Sequence, residues 1–348
     1  MDASVASEPA ASPDEAPTSR GETKLMNLGL QGGGAHGAFT WGVLDRLLEE
    51  ERIGFDGISA TSAGAMNATV FASGMAADGR EGAKKALAKF WRRISQATLT
   101  SPLQPTLLDR LFGHHSIGQS RGFVFSELMT RLFLPYEFNP LGQNPLRDAL
   151  LGSVDFTALA AKTCPIKLYL AATNVRTGKV KVFANSEIRV DSVLASACLP
   201  FLFQAVEIDG EAYWDGGYSA NPPLRQLVVD TKAADILLVR LVPEMHEAVP
   251  QLSHEIAKRV REIGFNASLL REQEAVAELR RACEGQRLFR SELCRKLDGL
   301  RFHEIAAPEV IDGLAQESAL DTSWSFLQRL HRGGRVAAER WLEGWERG

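Results

Sequence analysis

Three short runs of this 348-residue chain hold the side chains and amides that could do covalent chemistry. Ser62 stands in Ser59-Ala60-Thr61-Ser62-Ala63-Gly64, where a short apolar run gives way to a small-residue run of helical character. That is the setting of a nucleophile elbow, a tight strand-to-helix turn that lifts a serine hydroxyl above a sheet. Ala60, Ala63 and Gly64 meet the turn's need for small neighbours, although the strict G-x-S-x-G pattern has glycine where this chain has Ala60. Taken alone, the run fits equally a serine that caps an ordinary helix.

The second run is Gly32-Gly33-Gly34-Ala35-His36-Gly37, which matches G-x-G-x-x-G between a strand-like and a helix-like segment. Its amides could hold a pyrophosphate or an oxyanion. A dinucleotide site calls for an acidic residue at the end of the second strand. Here that strand ends at Ser62, and the nearest acid, Asp56, precedes it. No Gly-Lys-Ser/Thr follows the glycines, so a P-loop also fails, and an oxyanion hole is the better use of these amides. The third run is Trp214-Asp215-Gly216-Gly217, whose carboxylate could accept a serine proton or orient a water. Asp-Gly-Gly by itself is turn chemistry.

These residues need a frame, and the flanking pattern supplies one. A strand over Lys24–Leu30, the glycine loop and a helix over Ala38–Glu50 make one unit. A strand over Gly57–Thr61 and a helix over Ala63–Ser73 repeat it, which predicts a parallel sheet with crossover helices. The stretch from Gly74 to Asp155 reads as an insertion with helices over Gly82–Ser95 and Phe125–Phe133. Within it, Leu103 to Leu151 is apolar enough to form a lid and acyl-binding surface, or an ordinary second core layer. Hairpins are expected from Ile166–Asn174 with Lys179–Ala184, and from Gln204–Ile208 with Glu211–Trp214 around Asp209-Gly210. Beyond them come a buried strand over Asp235–Val242, a long helix over Leu252–Cys283 and a strand over Leu300–Ile305. Helices over Ser323–Leu330 and Val336–Trp345 end the chain, with Trp324, Leu327, Trp341 and Trp345 as core anchors or a lipid-facing stripe.

The domain reading is a tail over residues 1–22, a catalytic domain over 23–242 with the insertion at 74–155, and a helical extension over 243–348 packed on the same domain. The tail is rich in Ala, Ser, Pro and acids and lacks periodicity, which predicts disorder rather than a signal peptide. With 39 Lys+Arg against 43 Asp+Glu the net charge is -4, which offers nucleic acid or anionic lipid no general attraction. Any membrane contact is therefore expected to be local and peripheral, since no apolar run approaches the roughly 18–20 residues of a bilayer span. The oligomeric state is left open. The four cysteines, Cys164, Cys198, Cys283 and Cys294, show no Cys-x-x-Cys pairing, so reduced thiols and a cytoplasmic location are expected.

Together the three runs resemble the patatin-like phospholipase family. Leu30 to Phe39 is similar to its glycine-rich oxyanion segment, Ser59 to Ala68 to its elbow, and Trp214 to Gly217 to its aspartate motif. Ala195-Ser196-Ala197-Cys198-Leu199-Pro200 is similar to the family's approach to that aspartate, and the resemblance spans about Leu25 to Val242. It implies a three-layer α/β/α sandwich with a mostly parallel central sheet. It also implies a Ser62–Asp215 dyad without histidine, oxyanion donors at Gly33 and Gly34, a lipid or acyl-ester substrate, and no metal or other cofactor. The chain departs from the family at Ala60, at His36, where many members carry Arg or Lys, and at Gln31, where some carry Asp. A neutral His36 would remove a permanent charge beside the oxyanion. Two rival readings are a Ser-His-Asp esterase drawing on His246, His254, His303 or His331, and a non-catalytic lipid-binding or regulatory protein of the same fold.

Overall fold

The computed structural model describes residues 23–97, 144–246, 248–284, 291–311 and 316–345. Strands β1 (Lys24–Leu30), β2 (Ile53–Thr61), β3 (Lys167–Asn174), β7 (Asp235–Arg240) and β8 (Arg301–Ala306) run parallel to one another. Antiparallel pairing joins β4 (Val180–Ala184) and β6 (Glu211–Asp215) to β3, and β5 (Val206–Ile208) to β6. The order across the sheet is β5-β6-β3-β2-β1-β7-β8, with β4 pairing β3 off this path. Asp209 and Gly210, both at positive φ, close the β5–β6 hairpin as an Asp-Gly pair should.

Alternation along the strands makes the layers. On β7, Leu237 and Val239 enter one apolar cluster while Ile236 and Leu238 enter the other, because successive side chains point to opposite faces. The first face is covered by α1 (Gly37–Leu47), α2 (Ala63–Ala97), α5 (Val190–Ser196) and α9 (Trp324–Trp345). The short helices α3 (Pro145–Leu151) and α4 (Phe156–Ala160) pack against α2 on that side. The second face is covered by α6 (Arg225–Asp230), α7 (Ser253–Glu284) and α8 (Glu292–Gly299). The result is the expected three-layer α/β/α arrangement with helices on both faces of a mostly parallel sheet.

Several elements differ from expectation. The terminal helices over Ser323–Leu330 and Val336–Trp345 are one continuous α9, because Gly333-Gly334 serves a close crossing instead of a break. A Cβ on Gly334 would lie 2.0 Å from Phe39 O, and one on Gly42 would lie 1.9 Å from His331 O. The aromatic stripe of α9 packs on the core, with Leu327 fully buried and Trp324, Trp341 and Trp345 partly buried. Helix α2 runs on to Ala97 with its backbone leaving helical geometry at Asp78 and Gly79. Cys283 and Cys294 are joined in a disulfide that links α7 to α8. Only Cys164 and Cys198 are free thiols, so the expectation of four reduced cysteines is corrected, and with it goes the cysteine argument for a cytoplasmic location. Among the described residues, no helix is long and apolar enough to cross a membrane. The helix expected over Phe125–Phe133, the tail and most of the Leu103–Leu151 surface lie outside the described residues.

Candidate active site

Register brings the two side chains together before any contact is considered. Thr61 pairs with Ala171 across β2–β3, and the next residue of β3, Ala172, pairs with Asp215 of β6. Ser62 and Asp215 therefore leave the sheet at the same level, two inter-strand spacings or about 10 Å apart in backbone, and their side chains converge over the end of β3.

Ser62 has φ of 57°, one of two non-glycine residues at positive φ among those described. Such backbone costs about 1–3 kcal/mol and persists only where the surroundings hold it. Here the Ser62 amide donates to Ser196 Oγ at 3.0 Å, and its carbonyl accepts from Met66 N at 3.1 Å as α2 begins. A Cβ on Gly64 would stand 2.3 Å from Leu30 O, which explains the glycine after the serine. Ala60, by contrast, lies inside β2, paired to Leu30 and Leu170 and fully buried, so its methyl needs no special backbone. Thr61 fixes the end of the strand by donating to Ala220 O at 2.8 Å.

Asp215 is fully buried. Its Oδ1 accepts from Gly217 N at 2.7 Å and its backbone amide donates to Cys198 O at 2.8 Å. Burial raises its pKa to about 6, against the opposing effects of the Ser62 hydroxyl and the Gly217 amide. Oδ2 has no partner meeting full hydrogen-bond geometry, so the Ser62 hydroxyl is a neighbour of this carboxylate at a looser separation or angle than a formed bond. Catalytic hydrogen bonds commonly tighten only once substrate is bound. Neighbouring Cys198 is itself pushed up to about 12 by burial and by the charge of Asp215.

The glycine loop divides its amides. Gly32 N donates to Asn221 Oδ1 at 2.8 Å, which takes it away from any ligand. Gly37 N turns back to the carbonyls of Ala35 and Gly34. Among the described residues, no hydrogen bond occupies the amides of Gly33 and Gly34. The loop sits tightly on the elbow, since a Cβ on Gly32 would lie 2.7 Å from Ser62 Cβ. On its outer side Gly34 is walled by the Gln316–Leu320 turn, with Ala319 O 2.3 Å from where a Cβ would stand. His36 makes a 2.8 Å hydrogen bond with Ser318 Oγ and has its pKa lowered to about 4, chiefly by burial and then by Lys258. The ring is thus neutral at physiological pH, as its place at a helix start suggested, although burial is the larger cause.

Three further residues support the site in ways that the sequence does not state. Asn221 has been named. Buried Gln31 accepts from Leu241 N at 2.9 Å and Val242 N at 3.1 Å, and donates to Asn266 Oδ1 at 3.1 Å, tying the loop to the end of β7 and to α7. Ser196 holds the elbow amide. The only sequence signal for Asn221 is its Asn-Pro-Pro turn four residues beyond Gly217. The four rival histidines are placed elsewhere or not at all. His246 meets Glu262, His303 meets Asp235 and His331 meets Asp45, while the His254 side chain lies outside the described residues. No metal-like group of three or more His, Cys, Asp or Glu is found among the described residues.

The chain is similar in structure to VipD from Legionella pneumophila, at 15% identity and a TM-score of 0.45, covering 93% of this chain and 67% of that one. It is also similar to the type III effector ExoU, at 14% identity and a TM-score of 0.37, covering 92% of this chain and 53% of that one. The heterodimeric ExoU–SpcU complex of Pseudomonas aeruginosa matches at 18% identity and a TM-score of 0.31, covering 91% of this chain and 69% of the matched one. No curated protein matches in sequence. The family description "Patatin-like phospholipase" matches residues 28–228, well over half of the chain and inclusive of the glycine loop, the elbow and Asp215. On that match the chain belongs to the patatin-like phospholipase family.

Proposed function

We propose that the chain is a serine lipid acyl hydrolase in which Ser62 is the nucleophile, Asp215 the general base, and Gly33 and Gly34 the oxyanion donors. The observation that carries this reading is the fully buried Asp215 brought beside a serine in left-handed backbone, next to two unengaged glycine amides. In the acylation step, Ser62 Oγ bonds to the ester carbonyl carbon while its proton passes to Asp215. The carbonyl oxygen takes the negative charge and is met by the loop amides. Collapse of the intermediate expels the alcohol, which takes the proton back from Asp215. Water then attacks the acyl-serine and gives a proton to Asp215; the acyl–Oγ bond breaks, Ser62 Oγ takes that proton back, and a carboxylic acid is released.

Two features support a dyad over a triad. No described histidine contacts either Ser62 or Asp215, and Asp215 is poised near pH 6, where a carboxylate can both accept and return a proton. The substrate class proposed from the family is an acyl ester of a phospholipid or neutral glycerolipid. The test is labelling of the folded protein by a fluorophosphonate probe in wild type, Ser62→Ala and Asp215→Asn. Labelling of wild type alone is expected. Persistence in Ser62→Ala would overturn the nucleophile, and a folded wild type that never labels would favour a lipid-binding protein without turnover. A panel of p-nitrophenyl esters followed by phospholipid vesicles assigns the substrate, and a preference for acetate over long acyl chains would rule out the lipase reading.

A further inference from the structure

Between α1, α2 and α9 lies a cavity of about 310 Å³, whose lining includes Trp41, Arg92, Trp324, Gln328, His331 and Arg332. Among the described residues, no carboxylate lines it. Arg92 lies 4.6 Å over the ring of Trp324, which holds the guanidinium in place while leaving its N–H edges free. Neither Arg92 nor Arg332 has an ion-pair or hydrogen-bond partner among the described residues, although the chain as a whole carries more acids than bases. Elsewhere on the same helix, Arg335 is engaged by Asp45 and Glu49. Two guanidinium groups without a carboxylate partner among the described residues thus line one cavity, where an anion would meet both charges.

The aromatic wall adds a further unmet requirement. Trp41 is 5% exposed, its ring lies 6.1 Å from Trp324, and its indole N–H is a buried donor with no acceptor. Buried donors are almost always paired, so this one needs an explanation. Beside it His331 Nε2 is 3.2 Å from Asp45 Oδ2 without the alignment of a formed hydrogen bond. Both nitrogens are closed off from solvent, so the donors that a ligand in the cavity would meet are those of Arg92, Arg332 and Gln328.

We propose that this cavity is an anion-binding site, separate from Ser62, that takes a phosphate-bearing ligand through Arg92 and Arg332 and seats the ligand's apolar or planar portion against Trp41 and Trp324. Guanidinium groups match phosphate oxygens in geometry and charge, and the volume accommodates a phosphate with a small attached group. The chemistry is shared by a soluble phosphate compound and by a lipid phosphate headgroup.

The experiment titrates the full chain with pyrophosphate at constant ionic strength, read by intrinsic tryptophan fluorescence, and cosediments it with two kinds of vesicle. One vesicle is phosphatidylcholine alone and the other contains added phosphatidic acid. Wild type is expected to give a saturable response, and Arg92→Gln/Arg332→Gln to need about tenfold more pyrophosphate or to lose phosphatidic-acid-dependent sedimentation. A response to pyrophosphate alone assigns a soluble ligand, and one to phosphatidic acid assigns a headgroup. Both arginines are exposed, so unchanged melting of the double variant checks its fold. Ser62→Ala should titrate as wild type, which keeps this site independent of the acyl-hydrolase reading. Equal titration of wild type and the double variant, or no saturable response to either probe, would overturn the proposal.

Discussion

At the scale of single residues, Asp215 ties activity to stability in opposite senses. As the proposed base it must be ionised, so kcat/KM for a soluble ester is expected to fall with unit slope as pH drops below about 6, its raised pKa. The same shift makes its charge a cost to the fold. The folded state holds the proton more tightly than the unfolded chain, so the fold loses stability as pH rises from the ordinary carboxylate range to about 6. Asp215→Asn should therefore lose activity yet melt higher than wild type at pH 7, by an amount bounded at about 3 kcal/mol, with the gain vanishing near pH 4. Melting curves at the two pH values check this. Asn221→Ala is expected to lower kcat more than it raises KM, since it frees the Gly32 amide and loosens the loop beside Ser62. Steady-state kinetics on one ester separate the two parameters. The runs that hold Ser62, Asp215 and the glycines could be picked out in the sequence because local turn residues mark each of them. Gln31 and Ser196 stand in runs that the family resemblance marks, but their partners, and Asn221 altogether, were not legible, because each acts by reaching across 134 to 235 positions to a backbone or side chain that only the fold brings near.

At the scale of elements, the strand and helix pattern of the core was readable, and the departures have a common cause. Glycine in a sequence signals a turn, a cap or a close approach, and local pattern does not say which. At Asp209-Gly210 it is a turn, as expected. At Gly333-Gly334 it is an approach, which is why two expected helices are one. The α1–α9 crossing depends on that closeness from both sides. Gly42→Ala is expected to force the helices apart against the His331 carbonyl and to destabilise the protein by about 1–3 kcal/mol. Chemical denaturation would read the loss, and because α1 follows directly from the glycine loop, ester turnover should fall with it. The disulfide was missed for a related reason: Cys283 and Cys294 sit on different helices, and spacing alone does not show two helix ends meeting.

At the scale of the whole molecule, Asp235 on β7 gathers partners from two strands distant in sequence, Lys24 of β1 and Arg301 with His303 of β8. Burial acts to raise its pKa, but hydrogen bonds from Arg301 and His303, with the charge of Lys24, hold it well below the usual carboxylate range. Its contribution to stability is therefore complete above the ordinary carboxylate pKa and is lost as pH falls below it. Asp235→Asn should melt lower than wild type at pH 7, by about 3 kcal/mol in stability, with the two converging in strong acid. Thermal melts across that range test it.

The strand order has one more consequence, for anyone who would handle this protein in pieces. The family match ends at residue 228, yet β1, which leads into the glycine loop, has β7 as its neighbour on one side, and β7 in turn carries β8. A fragment cut at that boundary would bare Met26–Leu30 of β1 as an unpaired edge and strip away part of α6 and all of α7 to α9. Bare apolar edges recruit other bare edges, so such a fragment is expected in the pellet and the longer chain in the supernatant. The unit that stays in solution is larger than the unit that is recognised.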